Sequence, residues 1–166
     1  MSGPEVIDGL EFARNGRELR GAIEVARLER LREHLYDDAG TVEYALRGAL
    51  NAHGKPVISI EASGALRLRC QRCLGPMPFR LDARRQLLLV QGTDELADPA
   101  EEDETVDSVP AQAYTDVTAM VEDEILLCLP ISPRHADQSC APPAAADIAA
   151  IESPFAALAK LKRPVD

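Results

Sequence analysis

The chain has no tryptophan, and only three tyrosines and three phenylalanines among 166 residues. Its core must therefore be built from Leu, Val, Ile and Ala, and few rings are left for stacking on nucleobases. Long apolar runs are also missing. No stretch approaches the roughly 18 apolar residues that cross a bilayer. Met1 to Asp8 has neither the basic start nor the apolar run of a signal peptide, so the expected location is the cytoplasm, with no membrane partner. Basic charge is scarce in one half only. Residues 1–92 carry 14 Lys/Arg against 12 Asp/Glu, whereas residues 93–166 carry 4 against 16, giving a net charge of -10. That balance disfavours nonspecific nucleic-acid binding by the whole molecule but leaves room for a local basic patch on the first half. Also missing are a Ser/His/Asp set, a phosphate-cradling glycine loop and a credible carboxylate pair. The sequence announces no enzyme.

What is present is a Cys pair. Cys70-Gln71-Arg72-Cys73 offers two sulfurs from one tight turn, and His135 and Cys140 lie downstream. A C-x2-C pair alone fits a zinc site, a redox pair or two half-buried thiols. Reduced cytoplasmic thiols at uneven spacing argue against disulfides. Four ligands of Cys3His type suit one tetrahedral zinc ion, which would pin the segment after a helix onto a hairpin tip. A thioredoxin-like role fits poorly, because Leu74-Gly75-Pro76 leads from the pair into a strand rather than a helix.

Periodicity supplies the frame. Residues 5–12 read as a first strand. Residues 16–35 read as helix from Ile23 onward, or as a strand followed by a helix, with Leu28, Leu31 and Leu35 on one side. From residue 41 the period is two: Val42, Tyr44 and Leu46, then residues 57–61, a break or bulge at Ser63-Gly64, then Leu66, Leu68 and Cys70. Met77, Phe79 and Leu81 follow, and residues 86–91 complete the run. This predicts an antiparallel meander with one apolar face. Residues 93–110 hold eight carboxylates and no basic residue, and predict a mobile acidic loop. Thr115 or Asp116 caps a helix whose buried stripe is Val117, Val121, Ile125 and Cys128, with Glu122 and Asp123 facing water. Pro130 and Pro133 end it. Residues 141–152 read as a linker, and Ser153-Pro154 opens a tail helix over 153–163 that carries Phe155, Leu158 and Leu161 on one side as candidate partner contacts. The expected class is α+β: one domain over residues 1–140, a packed helix, a helical tail and a zinc knuckle.

Arg67, Arg69, Arg72, Arg80, Arg84 and Arg85 form a basic cluster relieved only by Asp82. It suits phosphate contact, or else a solvated sheet face paired with the acidic loop.

Three segments together resemble the YceD family, the large ribosomal RNA subunit accumulation proteins of bacteria and plastids. They are Leu68 to Leu74 around the Cys pair, Met120 to Pro130 followed by Pro133, His135 and Cys140, and Ser153 to Lys162. The resemblance spans most of residues 55–163. It implies a role in synthesis, processing or stability of 23S ribosomal RNA, supplies no catalytic residue, and strengthens zinc at Cys70, Cys73, His135 and Cys140. The expected partner is large-subunit ribosomal RNA or a protein of large-subunit assembly. A protein-only adaptor for a ribosomal protein or ribonuclease, and a Cys70/Cys73 redox sensor, are the rival readings.

Overall fold

The structure, a computed structural model, describes residues 5–91, 106–136 and 140. Among the described residues nine regular elements follow one another: β1 (Val6–Ile7), α1 (Gly9–Arg14), β2 (Glu18–Glu24), β3 (Thr41–Leu50), β4 (Pro56–Arg69), β5 (Pro76–Val90), β6 (Val106–Pro110), β7 (Thr115–Asp116) and α2 (Val117–Cys128). The main sheet has the order β2-β3-β4-β5-β6 and is antiparallel through β5. β6 then joins β5 in parallel, Gln86 opposite Val106 and Val90 opposite Pro110. β1 and β7 make a separate two-stranded pair. The α+β class with its meander is thus the architecture found. The last five residues of the expected acidic loop are a strand instead, while residues 93–105 and the tail at 153–163 lie outside the described residues.

Alternation decides which face of the sheet is buried. Val42, Leu46, Ile60, Leu66, Leu68 and Leu81 point inward and are almost wholly buried, and Leu28, Leu31 and Leu35 close over them. Those three leucines were expected on an α-helix, but they sit on and around two short 3-10 turns, Val25–Arg27 and Leu31–His34. The reason lies outside the segment. Glu24 is still paired with Thr41 and Leu35 already bridges Leu68, so strands hold both ends, and in between the N–H groups of Arg30 and Leu31 go to the Glu122 carboxylate instead of to helical carbonyls. The predicted break at Ser63-Gly64 is also absent. β4 pairs with β5 straight through it, Ser63 opposite Asp82 and Gly64 opposite Leu81.

The expected first strand is mostly helix. Asp8 accepts the Glu11 N–H at 2.9 Å and starts α1. Asp-x-x-Glu is the capping pattern that marks such a start. α1 packs flat on β3 at Gly48, where a Cβ would stand 2.4 Å from the Phe12 carbonyl oxygen.

α2 starts where predicted. The Asp116 carboxylate accepts the N–H groups of Thr118 and Ala119 at 2.8 and 3.2 Å. Val117, Val121 and Ile125 form its buried stripe. Two expectations for this helix fail. Cys128 is exposed, and Glu122 is buried. Cys128 keeps the angular position of the stripe, about three turns on from Val117, but it is the last residue of the helix and stands exposed there, while Glu122 faces the chain at Arg30.

Candidate metal centre and arginine face

The centre begins with the turn between β4 and β5. The Cys70 N–H donates to the Gly75 carbonyl at 3.0 Å, and the Leu74 N–H donates to the Cys70 carbonyl at 2.9 Å. Leu74 has φ of 60°, the left-handed region, which lets so short a loop reverse while both sulfurs stay on one side. The segment after α2 is tied to this turn by the Gln71 N–H, which donates to the Pro133 carbonyl at 2.8 Å. That bond delivers His135 two residues further on.

The ligand atoms of Cys70, Cys73, His135 and Cys140 all lie within 4.8 Å of one another. The Cys70 and Cys140 sulfurs are 3.4 Å apart, and the Cys73 sulfur is 3.5 Å from His135 Nδ1. A zinc tetrahedron with Zn–S bonds of ~2.3 Å has edges of about 3.8 Å. His135 Nε2 lies 3.0 Å from the Pro76 carbonyl oxygen. A carbonyl only accepts, so Nε2 carries the hydrogen and Nδ1 keeps its lone pair for the sulfurs. This is the outer-shell contact that orients a metal-ligating imidazole. Cys70 and Cys140 are buried; Cys73 and His135 are half-buried.

The charge balance points the same way. Burial opposes ionisation of the Cys70 thiol, but the backbone N–H groups of Cys73, Arg72 and His135 outweigh it and bring its pKa down to about 5. Burial, followed by hydrogen bonds to the other two sulfurs, pushes Cys140 up to about 11. The site therefore accepts one negative charge readily and resists a second unless a cation arrives. Three sulfurs and one oriented imidazole form a set able to hold a metal ion, and the donor types suit zinc.

The arginines divide by strand parity. Arg67 and Arg69 of β4, and Arg80 and Arg84 of β5, occupy the outer face, with Ala65 opposite Arg80 and Glu61 opposite Arg84. Arg72 stands in the Cys turn and bonds the Cys140 carbonyl at 3.4 Å. Arg85 does not join them. It opposes buried Ile60 on the inner face, where Asp107 and Glu124 meet it at 3.0 and 3.3 Å. Burial pushes the Glu124 carboxyl up, against the pull of Arg85. Arg67 is bound to Asp37 at 2.7 Å and Arg84 to Asp82 at 3.1 Å. Arg69 and Arg80 have no ion-pair partner among the described residues. At the other end of the face, Arg20 and Arg47 share Glu18, and Arg47 also reaches Glu61. The uncompensated positive charge is thus concentrated near the Cys turn. Phe155, Leu158 and Leu161 lie outside the described residues.

Sequence reading missed the supports: the Pro76 and Pro133 carbonyls, which no side-chain pattern reveals, and Asp37 under Arg67.

These features define a small, mostly β domain in which a Cys turn and a post-helix segment converge on a Cys3His cluster beside an arginine-rich sheet face. The family model described as "Large ribosomal RNA subunit accumulation protein YceD" matches residues 58–162, which take in all four cluster residues and all six arginines, and the chain belongs to the YceD family. The protein of that name in Haemophilus influenzae is 25% identical over 168 residues, covering 96% of each chain. No solved structure matches. No helix among the described residues is long and apolar enough to cross a membrane.

Proposed function

We propose that this protein is a non-enzymatic, cytoplasmic factor that supports accumulation of 23S ribosomal RNA by binding RNA directly. Contact runs through Arg67, Arg69, Arg72, Arg80 and Arg84. Zinc held by Cys70, Cys73, His135 and Cys140 fixes the turn that carries this surface. The family name supports the RNA. The observation that supports direct contact is the position of Arg69 and Arg80: in a chain of net charge -10, two guanidinium groups without ion-pair partners among the described residues share one sheet face beside the Cys turn. Guanidinium groups in this setting suit phosphate oxygens.

Protein purified without chelator should hold about one zinc per chain. Cys73→Ser and His135→Ala should each lose or weaken it. The wild type should bind large-subunit RNA with affinity that falls steeply with salt. Arg69→Ala/Arg80→Ala should flatten that dependence by roughly 0.7–0.9 for each phosphate that is no longer neutralised. Zinc-free wild type would remove the cross-link and promote the Cys70/Cys73 redox reading. No RNA binding at low salt would leave the second reading, a protein adaptor. That reading is favoured by Leu127 and Ile131, large apolar side chains that stand exposed at the end of α2 and just beyond it.

A further inference from the structure

β3 stops short of its neighbour. Val42 opposite Gly64 is its last pair with β4, so β4 continues from Ala65 without β3 beside it. Among the described residues the chain returns at the Leu35–Leu68 bridge and at Tyr36, whose N–H donates to the Arg67 carbonyl at 2.7 Å. The notch left between these points is a hollow of about 710 Å³ lined chiefly by Ala65, Leu66, Arg67, Pro78, Phe79 and Arg80. Ala65, Pro78 and the two guanidinium groups stand on the outer face, whereas Leu66 and Phe79 have inward parity. Phe79, whose strand parity points inward, is only partly buried and packs against the core.

An inorganic anion would suit the arginines but leave the apolar lining wet. An apolar side chain would suit the lining but would give no anion to Arg80, which has no ion-pair partner among the described residues. An unpaired nucleotide satisfies both, because its base has two apolar faces and its phosphates are anionic. A duplex keeps its bases stacked inside and offers mainly phosphates to a flat surface. Arg69 extends the row beyond the hollow, two residues and about 7 Å further along β4. We propose that this hollow is a nucleobase subsite, so that the arginine face takes single-stranded rather than duplex RNA. One unpaired base lies against Ala65 and Pro78, and its flanking phosphates meet Arg67 and Arg80. The inference rests on the RNA-binding reading above and specifies its substrate class.

The test uses the full-length, metal-loaded protein and a labelled RNA of about 12 nucleotides, free or annealed to its complement, followed by fluorescence anisotropy. Ala65→Leu fills the hollow from an exposed strand position and leaves every arginine in place. The wild type should bind the single strand more tightly than the duplex. Ala65→Leu should weaken the single strand about tenfold and leave the duplex within about twofold. Arg69→Ala should weaken both forms. A wild type that binds both forms equally, or unchanged single-strand affinity in Ala65→Leu, overturns this inference alone and gives the hollow to an apolar side chain of a protein partner. A wild type that binds neither form overturns the RNA reading as well.

Discussion

Glu122 shows how far one carboxylate can be from what its neighbours suggest. It accepts the backbone N–H groups of Arg30 and Leu31 at 2.8 and 3.0 Å and Arg30 Nε at 2.9 Å, and it is only 6% exposed. Placed between Val121 and Asp123, it reads as a residue of a wet helix face, because its partners lie about ninety positions away. Glu122→Gln keeps the shape but loses the charge that these donors face. It should cost about 1–3 kcal/mol in urea unfolding, whereas its exposed neighbour changed as Asp123→Asn should cost little. Tyr44 is a second such residue. Its hydroxyl donates to Glu5 at 3.0 Å, and burial, then that bond, pushes its pKa from 10.0 to about 12. A raised folded pKa means that the stabilisation is complete below the unfolded value and lost as pH rises through the folded one. Stability should therefore fall between about pH 10 and 12, with a late tyrosinate absorbance that Tyr44→Phe removes.

Among elements, those with a strict period were legible and those set by distant partners were not. The alternation of Val42, Tyr44 and Leu46, of Leu66 and Leu68, and of Phe79 and Leu81 marks the three long strands, and Asp116 marks the start of α2. β6 was not visible, because Val106-Asp107-Ser108-Val109 follows a run of carboxylates and becomes a strand by pairing with β5. The contact between α1 and β3 was equally hidden, since a glycine in a strand does not say what approaches it. At Gly48 the approach is by backbone: a Cβ would also lie 2.7 Å from Ala13 Cα. Backbone cannot swing aside as a side-chain tip can, so α1 must lift. Gly48→Ala should lower stability by about 1–3 kcal/mol, whereas Gly54→Ala, in an open turn, should show only the cost of its positive φ. Paired thermal melts of the two variants would separate these effects.

At the scale of the molecule, the cluster was legible because cysteine and histidine are rare here and have few other uses. The arginine face was legible only in part. Arg84 and Arg85 are neighbours in sequence and belong to opposite faces of β5, a division that the buried positions Leu81 and Ala83 fix once the strand is known to run unbroken. The acidic half and the near-neutral half of the chain are not separate bodies either, since α2 contributes Glu122 and Glu124 to Arg30 and Arg85. The cluster also has a consequence in time. Cys70 and Cys140 are 70 positions apart, so at ~5–20 residues per second the first thiols leave the ribosome roughly 4–14 s before the last arrives. During that interval the turn lacks the Pro133 carbonyl, His135 and Cys140, and its sulfurs are open to alkylation. A stalled nascent chain ending at Ile131 should be labelled at Cys70 and Cys73, and one carried well past Cys140 should be protected. The cluster is thus completed only once Cys140 has cleared the particle whose RNA the family is named for.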